Sequence, residues 1–452
     1  MKYSLGEEKV SRLLWQLSIP AILGMLSSAI FNMVDRIFVG KINSDALTAV
    51  GITMPIQILQ MAFVLLIGIG TSSLISIKLG EEKKEDAEQI LWIALKYILI
   101  ILVIFAALFL IFLNPILEML AISDSVMPYA KEYIVIIIVG SIIGIPGYCL
   151  NNSLRSIGQA KISMIIIMST SILNIILDPI FIYGLQLGIA GAAIATVISQ
   201  TVFTACVLYM FCKRSDFVIH LARKSTEKEG ELLIESMKMG LPSFFVQILA
   251  AAVNMFINRS LLKFGTDLDI AAITIMSSIF SFYHMVIFGI VQGNNVICGF
   301  NWGAKKYGRV TQSLKIAIGV AFLLSTGLFL VIELVPELLV GLFTSEKELA
   351  IVAAKEIRIY LLMLPFVGIQ TVGAQYFQAV GKPKRSSMLA FLRYGIIVIP
   401  AILLLTPYLG VQGIYMSNAI SDGVASLVTI VCIIFDIRRI KCGSIEKTIV
   451  IK

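Results

Sequence analysis

Charged side chains are scarce in this sequence. Lys, Arg, Asp and Glu make up 14% of its 452 residues, where a soluble domain carries about a quarter. Hydrophobic residues make up 58%, and the mean hydropathy is +0.94. So little charge cannot cover a soluble particle of this size, which leaves a polytopic membrane protein. A secretory leader is also missing. The N-terminus "MKYSLGEEKVSRLLWQLSIP" mixes both signs of charge and lacks a short basic region followed by a small-residue cleavage site, so the first apolar run is expected to stay as a helix. No GxxxxGK[ST] loop is present, which argues against a nucleotide-driven pump. The six cysteines, Cys149, Cys206, Cys212, Cys298, Cys432 and Cys442, form no CxxC pair and have no histidines at metal-ligand spacing. They are expected to be free thiols acting as small hydrophobes. The formal charge of +8 is not a nucleic-acid signal, because the basic residues sit at the ends of apolar runs and look like determinants of topology.

Polar breaks divide the chain into twelve apolar runs, at 13–39, 46–78, 88–113, 129–156, 160–184, 187–212, 234–262, 270–300, 309–333, 349–380, 385–406 and 410–436. Each is long enough to cross about 30 Å of hydrocarbon as a helix, which takes about 20 residues. Membrane-spanning strands would instead alternate every second residue over about 10-residue segments. The longest polar break, "KRSDFVIHLARKSTEKEGE", splits the chain in half, and the halves repeat. "SIPAILGMLSSAIFNM" answers to "GLPSFFVQILAAAVNM", pairing Pro20 with Pro242 and Asn32 with Asn254. "LGEEKKEDAEQIL" answers to "WGAKKYGRVTQSL", "SIGQAK" to "AVGKPK", and "LGIAGAAIATVISQ" to "LGVQGIYMSNAISD". The shared offset of 222 or 223 residues makes chance matches implausible. The expected fold is an all-α polytopic membrane protein, with twelve transmembrane helices in two pseudo-symmetric six-helix lobes. Residues 1–212 form the N-lobe, 213–231 a cytoplasmic linker, 232–438 the C-lobe and 439–452 a cytoplasmic tail. Duplication of this kind is a common build for transporters. An even number of crossings per half makes the repeats parallel.

Placing both termini in the cytoplasm puts 25 Lys and Arg on the inner side, among them Lys213, Arg214, Arg223, Lys224, Lys305, Lys306, Arg309, Lys382, Lys384 and Arg385. Seven fall outside and four lie within helices, so the positive-inside rule supports this orientation.

Two acids sit inside the apolar helices of the first half, Asp35 in "IFNMVDRIFVG" and Asp178 in "NIILDPIFIYG". A central ionised aspartate costs about 2.5–3.5 kcal/mol on insertion scales, so such a residue is expected to face a wet cavity or a partner. Both acids precede the outer ends of odd-numbered helices, at Gly40 and Gly184, and lie within about 10 Å of those ends at 1.5 Å rise per residue. They can therefore share one site in the outer half of the first bundle. Asn174 is one turn before Asp178 on the same face. Thr196 is on the sixth helix, about eight residues in from its outer end, and Tyr133 is near the outer end of the fourth. Pro179 donates no backbone bond, which frees a carbonyl near Ile175 and makes a bend there. Carboxylates, amide, hydroxyl and carbonyl form an all-oxygen set suited to a proton or a small hard cation. Two close carboxylates also repel, which favours proton capture. The competing readings are a local ion pair of Asp35 with Arg36, and a structural cap for Asp178. For Asn174 and Thr196 the competing reading is hydrogen bonding between helices.

"SIPAILGMLSSAIFNMVDRIFVG", "LNIILDPIFIYG" and "SIGQAK" resemble the multidrug and toxic compound extrusion (MATE) transporters, of the bacterial type with an aspartate in the first helix. The resemblance covers nearly the whole chain. It implies two six-helix lobes around a central cleft, in a bacterial or archaeal cytoplasmic membrane. It implies alternating-access efflux of organic, often cationic, compounds driven by inward flow of H+ or Na+, with no other cofactor, and a monomer in the bilayer. Asp35, Asn174, Asp178 and Thr196 match the family's N-lobe cation site, and would ligate the metal if Na+ is the coupling ion. Tyr133 and Asn151 match polar members of the surrounding network, and Pro20 matches a proline at which the first helix can bend. Some branches of the family carry acids in the seventh and tenth helices. Here those helices have no central acid, and Ile257 and Pro400 stand where the repeat has Asp35 and Asp178, so coupling is expected to rest on the N-lobe.

In the second half His284, in "SFYHMVIFG", can titrate near neutral pH or pack as a hydrogen-bonded core residue. His284, Gln292 and Asn294 are candidate substrate contacts, Gln292, Asn294 and Asn295 being otherwise polar contacts or helix glue, and Arg358 and Arg393 can bind an anionic group or snorkel. Plentiful Met and Phe suit a pliable chamber. A lipid-linked oligosaccharide flippase of the same superfamily is the alternative function, though twelve runs with few buried basic residues fit it less well. An intramembrane aspartyl protease is a third, but "MVDR" and "LDPI" do not resemble its GxGD pattern.

Overall fold

A computed structural model describes residues 4–120, 122–214, 217–221, 228–344 and 346–449. Arg223 and Lys224 of the linker and the last three residues of the tail lie outside the described residues. The first half contains α1 (Val10–Gly40), α2 (Ser44–Gly80), α3 (Lys84–Ile111), α4 (Leu113–Met119), α5 (Met127–Gly144), α6 (Pro146–Ser156), α7 (Ala160–Pro179) and α8 (Gly188–Lys213). The second contains α9 (Glu229–Phe264), α10 (Asp267–Gly303), α11 (Tyr307–Leu334), α12 (Pro336–Val340), α13 (Lys347–Tyr360), α14 (Leu364–Ala379), α15 (Pro383–Phe391), α16 (Val398–Leu409) and α17 (Val411–Ile449). Among the described residues eleven helices, some continuing through a π turn, are long and apolar enough to cross a membrane. The remaining expected crossing, 349–380, is divided into α13 and α14, each too short to span alone. Its counterpart in the first half, 129–156, is likewise divided into α5 and α6. The cause is local: Pro146 opens α6 and Pro365 lies in the first turn of α14, and proline has no N–H to continue the ladder from the preceding helix.

Large apolar side chains are exposed on these helices, among them Ile30 and Met33 on α1, Ile172 on α7, Leu323 on α11 and Leu427 on α17. Apolar surface this extensive is at home against lipid tails rather than water.

The duplication seen in sequence is reproduced in backbone geometry. Glu82 and Lys305 both take positive φ, at 63° and 57°, in the turns after α2 and α10. Gly158 and Gly381 do so at 82° and 73°, and Gly188 and Gly410 at 55° and 58°. Each pair is separated by the repeat offset. The turns close in the same way. Lys83 N–H reaches the Lys78 carbonyl at 2.9 Å and Lys306 N–H the Asn301 carbonyl at 2.8 Å; Gln159 reaches Leu154 at 3.0 Å and Lys382 reaches Phe377 at 2.8 Å. These are six-to-one bonds of the kind that end helices through a left-handed residue. "SIGQAK" and "AVGKPK" are thus equivalent helix stops.

The described chain divides into two compact units that do not follow the midpoint strictly. The first takes 4–7 and Ile19–Phe244; the second takes Glu8–Ser18 and 245–449. The first turns of α1 thus belong with the second unit, and those of α9 with the first. Both divisions fall within two residues of a helix-interior proline, Pro20 or Pro242. Small residues make the crossings possible. A Cβ on Gly240 of α9 would stand 1.7 Å from the Leu66 carbonyl oxygen, and one on Gly70 of α2 would stand 2.1 Å from that of Ser236. In the second unit a Cβ on Gly293 of α10 would meet Ser18 Oγ at 2.4 Å. Backbone cannot give way as a side chain can, so Gly240→Ala is expected to destabilise by about 1–3 kcal/mol or to prevent folding. Gly319→Ala and Gly327→Ala in α11, where nothing lies within 4 Å, are expected to leave stability unchanged or raise it slightly. Thermal unfolding of purified protein in detergent, with size-exclusion profiles, checks the contrast.

Candidate functional site

The two aspartates of the first half are built into helix ends. Asp178 is the penultimate residue of α7 and is fully buried, while Asp35 lies in the last two turns of α1 and is 9% exposed. Beyond Pro179 the chain does not stop but widens into a π turn, Ile180–Gly184, closed by Leu185 N–H on the Ile180 carbonyl at 2.8 Å. Such wide turns occur often at functional sites. From that turn Tyr183 donates its hydroxyl to the Phe38 carbonyl at 2.7 Å, and its ring meets the Phe38 ring edge-on at 6.5 Å. The ends of α1 and α7, each carrying a carboxylate, are thereby pinned together.

Asn174 and Asp178 meet as their one-turn spacing requires. With the Asn174 amide nitrogen turned toward the carboxylate, it donates to Asp178 Oδ2 at 3.0 Å, and its oxygen accepts from the Thr196 backbone N–H at 3.2 Å. The same edge of the amide lies 3.5 Å from Thr196 Oγ1. Asn174 therefore ties α7 to α8 and leaves the second carboxylate oxygen of Asp178 free. The charges of Asp35 and Asp178 act on one another, and both act on the Tyr133 hydroxyl. Tyr133 itself hydrogen-bonds Gln57 of α2, a residue the sequence reading did not single out. Four helices, α1, α5, α7 and α8, thus bring Asp35, Tyr133, Asn174, Asp178 and Thr196 into one neighbourhood. An apolar cluster of Val39, Val50, Ala130, Ile137, Ile182, Ile189, Ala192 and Ala193 packs around Tyr133.

Asp35 Oδ1 and Asp178 Oδ1 are both buried without a hydrogen-bond partner. Burying a carboxylate oxygen unpaired is expensive, and folded proteins rarely leave one so. Arg36 does not relieve Asp35 by an ion pair; its Nη2 turns to Met54 Sδ at 3.2 Å. Two unsatisfied carboxylate oxygens, with the Tyr133 and Thr196 hydroxyls in the same neighbourhood, make a set that fits a proton or a hard monovalent cation, while the Asn174 oxygen is already taken by the Thr196 N–H. The donors would be poor ones for a soft transition metal, and among the described residues no group of three or more His, Cys, Asp or Glu side chains is arranged to hold a metal. Asn151 lies on α6, buried, with its Oδ1 also unpartnered. Pro20 sits inside α1, beside the point where that helix passes from one unit to the other.

In the second unit His284 is flanked by Phe280 and Phe288, one turn to either side, with ring centroids 6.0 and 5.9 Å away. Asn294 is fully buried, and its Oδ1 accepts from Ser313 Oγ at 2.8 Å. Gln292 and Asn295 lie beside it on α10. Arg393 neither snorkels nor stands open. It is buried, with Nε donating to Asp422 Oδ1 at 2.7 Å and Nη1 to Gln370 Oε1 at 2.9 Å. Arg358 is exposed and bonds the Glu333 carbonyl at 3.0 Å. Asp422 and Gln370 carried a readable signal, being polar residues in otherwise apolar runs, but nothing in their spacing named their partner.

A duplicated helical membrane fold with unsatisfied carboxylates buried in one bundle is the architecture of a secondary transporter. The MatE family pattern matches residues 20–180 and 242–404, one match in each half. The chain belongs to the MatE family. It is similar to the multidrug export protein MepA of Staphylococcus haemolyticus, with 25% identity over 434 residues that cover 96% of this chain and 95% of that protein. The MepA protein of Staphylococcus aureus is 26% identical over 429 residues, covering 94% of each chain. Among solved structures, an outward-facing multidrug resistance MATE family transporter of the MOP superfamily superposes with a TM-score of 0.89 at 25% identity, covering 97% of this chain and 98% of the other. The Vibrio cholerae MATE transporter VcmN in its bent form superposes with a TM-score of 0.88 at 25% identity, covering 96% and 98%.

Proposed function

We propose that the chain is a cation-coupled multidrug exporter, working as a monomer in a bacterial or archaeal cytoplasmic membrane with both termini inside. It exports organic cations by alternating access, and inward movement of H+ or Na+ drives it. The observation that carries this reading is the pair of unsatisfied oxygens, Asp35 Oδ1 and Asp178 Oδ1, held in one apolar bundle. Export by the two MepA proteins, named as multidrug exporters, supports the substrate class.

The carboxylates supply the coupling. Asn174 and Tyr133 position them; Thr196 orients Asn174. A cation on the pair removes the repulsion between the two acids and replaces missing hydrogen bonds, so it favours the arrangement in which α1 and α7 stay close. An organic cation favours the other. A ligand shifts such an equilibrium only by its unequal affinity for the two states, so the two need never touch. The deciding experiment is dye efflux from proteoliposomes with a pH gradient and a sodium gradient imposed separately. Efflux that requires one of them supports the proposal and names the ion. Efflux that proceeds equally with neither overturns it.

A further inference from the structure

The second unit carries a buried acid that none of the chemistry above uses. Glu356 lies on α13, 8% exposed, and its Oε2 has no hydrogen-bond partner. Its neighbour in sequence, Lys355, is exposed and makes no contact-distance ion pair with it, although the Lys355 charge acts on Glu356 at longer range. Tyr415 on α17 is fully buried, and its hydroxyl is equally without a partner. Asp269, in the first turn of α10, completes the group. Its charge acts on both Glu356 and Tyr415, and the charge of Glu356 acts on Tyr415 as well. The Asp269 carboxylate is held in place by a capping box, with Oδ2 accepting from Thr266 N–H and Thr266 Oγ1, both at 2.8 Å. Tyr360 stands edge-on to Tyr415 at 6.2 Å and bonds Ser277. Helix α13 packs against both α10 and α17.

The repeat makes this placement informative. Glu356 stands one repeat offset from Tyr133, the phenol on which both N-lobe carboxylates act. The second half has lost the counterparts of Asp35 and Asp178, but it has an acid where the first half has the phenol. A buried carboxylate oxygen and a buried hydroxyl left unpaired, with the charge of the one acting on the other, point to an absent partner, because folded proteins satisfy the large majority of such atoms. All the groups present are oxygens, two of them on carboxylates. The missing partner is therefore small, positive and hard.

We propose that Glu356, Asp269 and Tyr415 form a second monovalent-cation site, taking H+ or Na+, at the end of the second unit where α9 turns into α10. Glu356 binds the ion directly, Tyr415 contributes its hydroxyl oxygen, and Asp269 supplies field and a second acidic oxygen. The site does not depend on the N-lobe pair.

The test uses the full chain purified in detergent, with two probes: radiolabelled Na+ binding at fixed pH, and proton uptake after an acid jump read by a soluble indicator. The two arms tell sodium from protons. The D35N/D178N variant is expected to take up one cation per chain more than the D35N/D178N/E356Q variant in one of the two arms. Y415F, which keeps the ring and deletes only the hydroxyl, is expected to weaken this residual binding roughly tenfold, the worth of one hydrogen bond to a charged group. A size-exclusion profile matching wild type certifies folding, and Y415F carries the test alone if E356Q does not fold. Equal uptake of both ions by D35N/D178N with and without the Glu356 and Tyr415 changes overturns the proposal. Failure of the N-lobe reading looks different: wild type and D35N/D178N would then bind the same amount.

Discussion

Asp178→Asn is expected to reduce gradient-driven efflux to the leak rate of the vesicles. Asparagine matches aspartate in shape and can still accept the bond that Asn174 donates at 3.0 Å, so the local fold has little reason to change. What it cannot do is alternate between charged and neutral, or offer a carboxylate to sodium. With that lost, the coupling ion has no preference between conformations, and its gradient can no longer move the equilibrium. Binding of a fluorescent substrate, measured in detergent, is expected to survive within a few-fold, because the reading gives Asp178 to the ion rather than to the drug. Asp35→Asn is expected to behave in the same way. The comparison of interest is therefore efflux against binding in the same preparation; full efflux in either variant would remove these acids from the mechanism.

The largest effect on stability is expected from Arg393→Met. Arg393 and Asp422 are both nearly fully buried and joined at 2.7 Å, with Gln370 bonded to the guanidinium and Ser421 bonded to the Arg393 carbonyl. Removing one partner of a buried pair leaves the other charge without compensation and costs about 3–5 kcal/mol. Removing both is a different matter, because the desolvation of two charges is also removed. The Arg393→Met, Asp422→Leu double variant is therefore expected to recover most of the loss in thermal unfolding. A double variant as unstable as the sum of the two single variants would show that the residues act independently and that the pair is not a unit.

The duplication was legible because its markers are short-range. A helix stop such as "SIGQAK" needs a left-handed residue at one position, and Gly158 and Gly381 advertise that need in the sequence itself. The contact of Asn174 with Asp178 was legible for the same reason, since one turn of helix fixes which side chains share a face. Depth counting placed Asp35 and Asp178 at a common level, and in the structure the charge of Asp35 reaches Asp178. The breaks before α6 and α14 went unmarked, though Pro146 and Pro365 stood in view, because an apolar run reads as continuous whether or not its helix is. Gln57 was missed because a lone amide in an apolar run does not say which helix it will meet. Arg393 and Asp422 were missed as a pair for a deeper reason: they lie on different helices, and hydrophobic periodicity tells which face of a helix is buried but not which neighbour buries it. The passage of α1 and α9 between units was hidden in the same way, since its only sequence trace is a proline and a few glycines.

That passage bears on how the protein is made. The seam on α2 between Leu66 and Gly70 is closed by residues 236–240 of α9, which leave the ribosome long after α2 has entered the bilayer. Until they arrive, the first six crossings hold an open groove lined by bare backbone. The amino-terminal half is consequently unfinished when its own last helix is in place, and its assembly waits for the start of the carboxyl-terminal half. The second unit draws in turn on residues 8–18 of the first helix, so each of the repeated halves depends on the other for completion.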